Sequence, residues 1–160
     1  MVSELDYCFT AFDQIIDKYR LQKVKTIGDA YMCVGGLYTR GELHVLRMVA
    51  AALEIQQVLA ERKKERIKTN NFFFEARIGI HTGPVVAGVI GSKKIAFDVW
   101  GDTVNVAQQM EQHSAVGKVN ISGETYQIVQ EQFECTHRGM VTAKNQQTYD
   151  MYYVDKGIIS

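Results

Sequence analysis

Two short stretches of this 160-residue chain concentrate side chains able to do chemistry. The first is Lys25-Thr-Ile-Gly-Asp-Ala-Tyr-Met32. Gly28 and Asp29 separate two apolar runs, residues 24–27 and 30–34, and so read as the loop of a tight hairpin. Asp29 then sits at the hairpin tip, with Lys25 four residues earlier on the strand. A carboxylate so placed can hold Mg²⁺, a hard cation that takes oxygen ligands and substrate phosphates. An aspartate there can equally serve the turn alone. The second stretch is Phe97-Asp-Val-Trp-Gly-Asp-Thr-Val-Asn-Val-Ala107. It sets Asp98 in a strand beside Trp100, then Asn105 on a helix. A strand carboxylate in apolar company is costly to bury unless it is paired or hydrogen-bonded.

Other chemistries are poorly served. No phosphate loop of the GxxxxGK[ST] type occurs, nor HExxH, GxSxG or a GxGxxG opening a helix. His44, His81, His113 and His137 lack metal-ligand spacing and read as structural or surface residues. Cys8, Cys33 and Cys135 are odd in number with no CxxC, which argues against a disulfide framework or a zinc site and for a reducing, cytoplasmic setting. Lys plus Arg equals Asp plus Glu, at 18 each, so no global field favours nucleic acid or a membrane surface. The basic stretch 62–68 reads as a solvated helix end. No apolar run approaches the ~20 residues of a membrane span, although a longer parent protein could be membrane-anchored.

These residues need a frame. Leu5, Phe9, Phe12 and Ile16 recur at helical spacing and predict a helix ending near Tyr19 or Arg20. A long helix is expected over 43–67, with Leu46, Val49, Ala50 and Leu53 inward. Alternation over 72–80 predicts a strand. The apolar run 85–90 predicts a well-buried strand, and 96–100 another. A helix follows Gly101 with Val104, Ala107 and Glu111 in line. Then come a strand at 119–121, a helix capped by Ser122, and strands near 133–138 and 149–154. Hairpins mixed with helices make this a single α+β domain over 1–160, with helices packed on an antiparallel or mixed sheet.

Taken together, the segments closely resemble the catalytic domains of class III adenylyl and guanylyl cyclases. Residues 25–32, the run Arg77-Ile-Gly-Ile-His-Thr-Gly-Pro-Val-Val-Ala-Gly88 and residues 98–105 match that family's motifs in order. The resemblance implies a ferredoxin-like βαββαβ core with added strands, working as a head-to-tail homodimer with its sites in the cleft. It implies two Mg²⁺ or Mn²⁺ ions, with Asp29 as one metal ligand and Ile27 and Gly28 lying near metal and nucleotide. Lys25 and Asp98 match the pair that reads the purine. Adenine N1 accepts a hydrogen bond that Lys25 can donate, and N6 donates one that Asp98 can accept; guanine reverses that edge. Both positions are of the adenine type, so ATP is the expected substrate and cyclic AMP the product. Asn105 matches the asparagine that orients ribose and reacting groups.

Three departures accompany the match. The family's other metal aspartate lies on a strand upstream of the opening helix, with no counterpart here, so this chain alone is expected to turn over little or nothing and to leave exposed sheet edges. The arginine expected four residues after Asn105 is Gln109. The family's Lys-Gly-Lys-Gly is Lys144-Asn-Gln-Gln147, which keeps Lys144 for the terminal phosphates but puts Gln146 at the second lysine. Two readings follow: an adenylyl cyclase, or a degenerate cyclase-like domain that binds nucleotide or dimerises without turnover.

Overall fold

The computed structural model describes residues 2–158. Helix α1 (Val2–Lys18) leads into a hairpin of β1 (Gln22–Ile27) and β2 (Ala30–Val34), and helix α2 (Leu43–Lys68) follows. Next come β3 (Ile78–Ile80), a second hairpin of β4 (Val86–Ile90) and β5 (Ala96–Trp100), and helix α3 (Asp102–Gln112). Strand β6 (Val119–Ser122), helix α4 (Gly123–Val129), and the long pair β7 (Phe133–Thr142) and β8 (Thr148–Gly157) complete the order. The fold is α+β, as expected. A four-stranded sheet runs β3-β6-β8-β7, parallel between β3 and β6 and antiparallel elsewhere, and the two hairpins stand as separate two-stranded sheets.

Helix α2 joins these pieces. One side of it packs Ala51, Ile55 and Leu59 against Cys8, Phe12, Ile15 and Ile16 of α1, with Tyr31 and Cys33 of β2 and Phe74, Ala76 and Ile78 alongside. Its other side packs Val45, Val49 and Ala52 on Ile80, Val119, Ile121 and Val154 of the main sheet. Serving two clusters, α2 has a wider apolar face than the expected stripe, and it is long and apolar enough to pass as a membrane span by composition. Strands β2 and β3 thus lie on the same helical layer, yet they share no ladder, and each leaves one edge unpaired among the described residues.

Five expectations are corrected. On α1, Glu4 rather than Leu5 is buried, only 3% exposed. Arg62 Nη2 and Arg66 Nε reach its carboxylate at 2.9 and 3.2 Å, and the Arg62 guanidinium stacks on Tyr7 at 3.8 Å. A paired carboxylate tolerates such burial, so the basic stretch is in part an interhelical clamp. Residues 72–77 alternate like a strand but form none, because only Ile78–Ile80 find a ladder partner, in β6. Strand β4 is apolar yet exposed, with Val86 and Val89 each 65% exposed. On α3, the buried residues are Val106 and Met110, while Glu111 turns out to pair with Arg77 at 2.7 Å. Gly79 allows this close seating, since a Cβ there would collide with the α3 backbone at Met110 and Glu111.

Candidate active site

The β1–β2 turn forms as the sequence predicts, with Ile27 opposite Ala30. Gly28 takes a left-handed φ of 58°, a conformation that favours glycine. The tip exposes Ile27, Gly28 and Asp29 to solvent. No group of three or more Asp, Glu, His or Cys gathers as a metal-ligand cluster among the described residues. A lone exposed carboxylate suits Mg²⁺, which is held by one or two carboxylates plus phosphates and water. It does not suit a zinc cage built from protein ligands alone.

Lys25 and Asp98 are brought together from 73 positions apart. Lys25 Nζ lies 3.0 Å from Asp98 Oδ2. Asp98 Oδ1 accepts from the Val99 backbone N–H at 2.8 Å. That backbone bond first, and the Lys25 ammonium second, hold the Asp98 carboxyl below its ordinary value. Asp98 therefore remains a carboxylate through neutral pH, so one donor and one acceptor stand side by side on strands β1 and β5.

The remaining candidates gather around α3. Asn105 and Lys144 line one cleft of about 140 Å³, together with Asp102, Val106, Ala143 and Asn145. The β7–β8 turn that presents Lys144 is locked internally. Asn145 Oδ1 accepts from the Gln147 N–H at 3.0 Å, and Asn145 Nδ2 donates to Tyr149 Oη at 2.9 Å. Gln146 stands at the turn with a left-handed φ of 68°. Gln109 does not line the cleft; its Nε2 donates to Gln112 Oε1 at 3.2 Å. Sequence reasoning missed Asp102 and Asn145. The only prior signal for Asp102 was an acid in the first turn of a helix.

The candidates thus fall in three places: the hairpin tip, the Lys25–Asp98 pair, and the α3 cleft. None of the three cysteines is disulfide-bonded, and burial pushes the Cys33 thiol up to about 12, so none offers an activated thiolate. His81 plays a structural part. Its Nδ1 is 2.6 Å from Ser122 Oγ, its ring meets Tyr149 edge-on, and burial holds the imidazole below its ordinary value near 6.5. With the folded value lowered, the unfolded chain takes the proton first. The stability is then complete above the unfolded value and declines as pH falls through it. Urea denaturation between about pH 8 and pH 5 should show this decline, and His81→Gln should flatten it; parallel pH profiles would assign the decline elsewhere.

The adenylate and guanylate cyclase catalytic domain family matches residues 1–156. An adenylate cyclase of Mycobacterium tuberculosis is 36% identical over 154 residues, covering 96% of this chain and 34% of the relative. A membrane guanylyl cyclase of Dictyostelium discoideum is 34% identical over 152 residues, 93% of this chain and 10% of its own length. The chain therefore spans about a third or less of these relatives. Among solved structures, the guanylate cyclase domain from Catenaria anguillulae in complex with GTP superimposes with a TM-score of 0.87 at 31% identity, covering 99% of this chain and 85% of that one. The chain belongs to the adenylate and guanylate cyclase catalytic domain family.

Proposed function

We propose that this domain makes 3′,5′-cyclic AMP and pyrophosphate from ATP. The observation that carries the reading is the Lys25–Asp98 pair at 3.0 Å, one donor beside one acceptor, which matches the N1 and N6 edge of adenine. In the reaction the ribose 3′-oxygen bonds to the α-phosphorus and the bond from that phosphorus to the β-phosphate bridging oxygen breaks. Pyrophosphate leaves, and the hydroxyl proton passes to solvent.

Asn105 in the α3 cleft is suited to orient the ribose and the reacting oxygens, and Lys144 to receive terminal phosphates. Asp29 would hold Mg²⁺ or Mn²⁺ together with the substrate phosphates. A bound metal neutralises triphosphate charge and lowers the pKa of the attacking hydroxyl.

Two copies are needed on this reading. Asp29 stands exposed at its tip, apart from the α3 cleft. Ile27, Val86, Val89, Ile90 and Ile95 are all exposed around it and on the β4–β5 hairpin. A two-stranded hairpin with so much bare apolar surface is marginal alone, and a second copy would cover it while bringing its own Asp29 to the first copy's pair.

The test is a cyclase assay of the full-length protein with Mn²⁺, ATP and GTP in separate reactions. Cyclic AMP is expected from ATP, and Asp29→Ala should reduce it on the order of 10³-fold with the fold intact. Full activity in that variant would remove Asp29 from the metal site. A dimer that binds ATP without turnover would instead favour the degenerate domain, the reading that the uncharged Gln109 supports.

A further inference from the structure

Asn105 stands near the start of α3, and that helix begins without a side-chain cap, its N-cap being Gly101. An uncapped start leaves its first N–H groups unsatisfied and prone to fray. Here the first turn is held from outside. Thr103 Oγ1 donates to the Pro84 carbonyl at 2.6 Å. The approach depends on Gly83, because a Cβ there would lie 2.5 Å from Thr103 Oγ1 and 3.4 Å from its Cγ2.

The turn that receives Thr103 is itself tied to the core. Thr82 Oγ1 and Thr125 Oγ1 are 2.8 Å apart, and His81 Nδ1 is 2.6 Å from Ser122 Oγ. Ser122 and Thr125 are both fully buried, and Ser122 caps α4 by accepting from the Thr125 N–H. Hydrogen bonds thus run from the buried start of α4, through residues 81–84, to the first turn of α3. The rotation and height of that turn fix where the Asn105 carboxamide enters the cleft it shares with Lys144.

We propose that Thr103 is a positioning residue for Asn105, with Gly83 giving it room to act. The inference rests on the cyclase reading for its consequence in catalysis, but not for the clamp itself. Site side chains must be held within about 0.5 Å of the productive geometry, and small misplacements are costly in rate. Losing the tether should therefore act on turnover more than on nucleotide binding.

The test compares Thr103→Val, which keeps the shape and removes the donor, with Thr103→Ser, which keeps the donor. Hydrogen exchange of residues 102–107 in the full-length protein should quicken in Thr103→Val, stay unchanged in Thr103→Ser, and leave the main sheet as protected as before. In the cyclase assay, kcat of Thr103→Val should fall on the order of 10-fold with KM nearly constant, and Thr103→Ser should match the parent. Unchanged exchange in Thr103→Val overturns the clamp. Quickened exchange with unchanged kcat overturns the role in positioning Asn105. If the parent makes no cyclic nucleotide, the cyclase reading fails along with the catalytic consequence, and exchange alone decides the clamp.

Discussion

Replacing Lys25 by Glu together with Asp98 by Cys should turn the proposed ATP preference of the full-length protein into a GTP preference. Guanine O6 accepts and its N1–H donates. A thiol at 98 can donate to O6, and a carboxylate at 25 can accept from N1–H. A site built to hydrogen-bond one polar edge rejects the reversed edge by leaving buried groups unpaired, on the order of 10⁴-fold for a complete mismatch. The ratio of kcat/KM for GTP over ATP should therefore rise by about 10³-fold or more. The structure also orders the single variants. Lys25 and Asp98 are 3.0 Å apart, so Lys25→Glu alone sets two carboxylates against each other. It should lose activity with both nucleotides and bind either poorly. Asp98→Cys alone leaves an unopposed ammonium at a partly exposed site and should be milder. The two changes should couple strongly in a double-mutant cycle. A double variant that still prefers ATP would remove the pair from base recognition.

Local signals carried much of the fold, because their causes are local. The Gly28-Asp29 loop, the start of α2 at Leu43 and the Ser122 cap each depend on a few neighbouring residues, and each stands where the sequence puts it. Errors arose wherever the cause lies across the fold. Glu4 is buried because Arg62 and Arg66 arrive from another helix, which no periodicity in α1 can report. Residues 72–77 have strand alternation but no neighbour to pair with, and a ladder requires two strands. Strand β4 is apolar without being buried, since apolarity signals that a surface will be covered but not by what. The site follows the same division. Asp29 is legible as a turn carboxylate. The pairing of Lys25 with Asp98 spans 73 residues and came into view only through the family resemblance. The bond from Thr103 to Pro84 had no signal beyond a Gly-Pro turn and a threonine at a helix start.

The second large effect concerns Gln109, and here a substitution should raise activity. Asn105 and Gln109 are four residues apart on α3, so their side chains share a face. Asn105 lines the cleft where Lys144 also lies, and Gln109 stands one turn further along the helix, outside that lining. At present the Gln109 carboxamide donates to Gln112 Oε1 at 3.2 Å, a bond that turns it along its own helix. On the proposed reading a carboxamide at 109 would bring only a dipole to the attacked phosphorus, whose negative charge is greatest at the transition state. An arginine at 109 would bring a full, permanently ionised charge with a planar fork of donors suited to phosphoryl oxygens. Because the added interaction strengthens as the phosphorus becomes five-coordinate, it should enter kcat rather than KM. One preorganised donor in comparable sites is worth on the order of 10²- to 10³-fold, and Gln109→Arg should raise cyclic AMP production within that range. Gln109→Lys, a compact charge without the fork, should recover less. If Gln109→Arg left kcat unchanged in a protein that binds ATP, the α3 face would not approach the phosphorus.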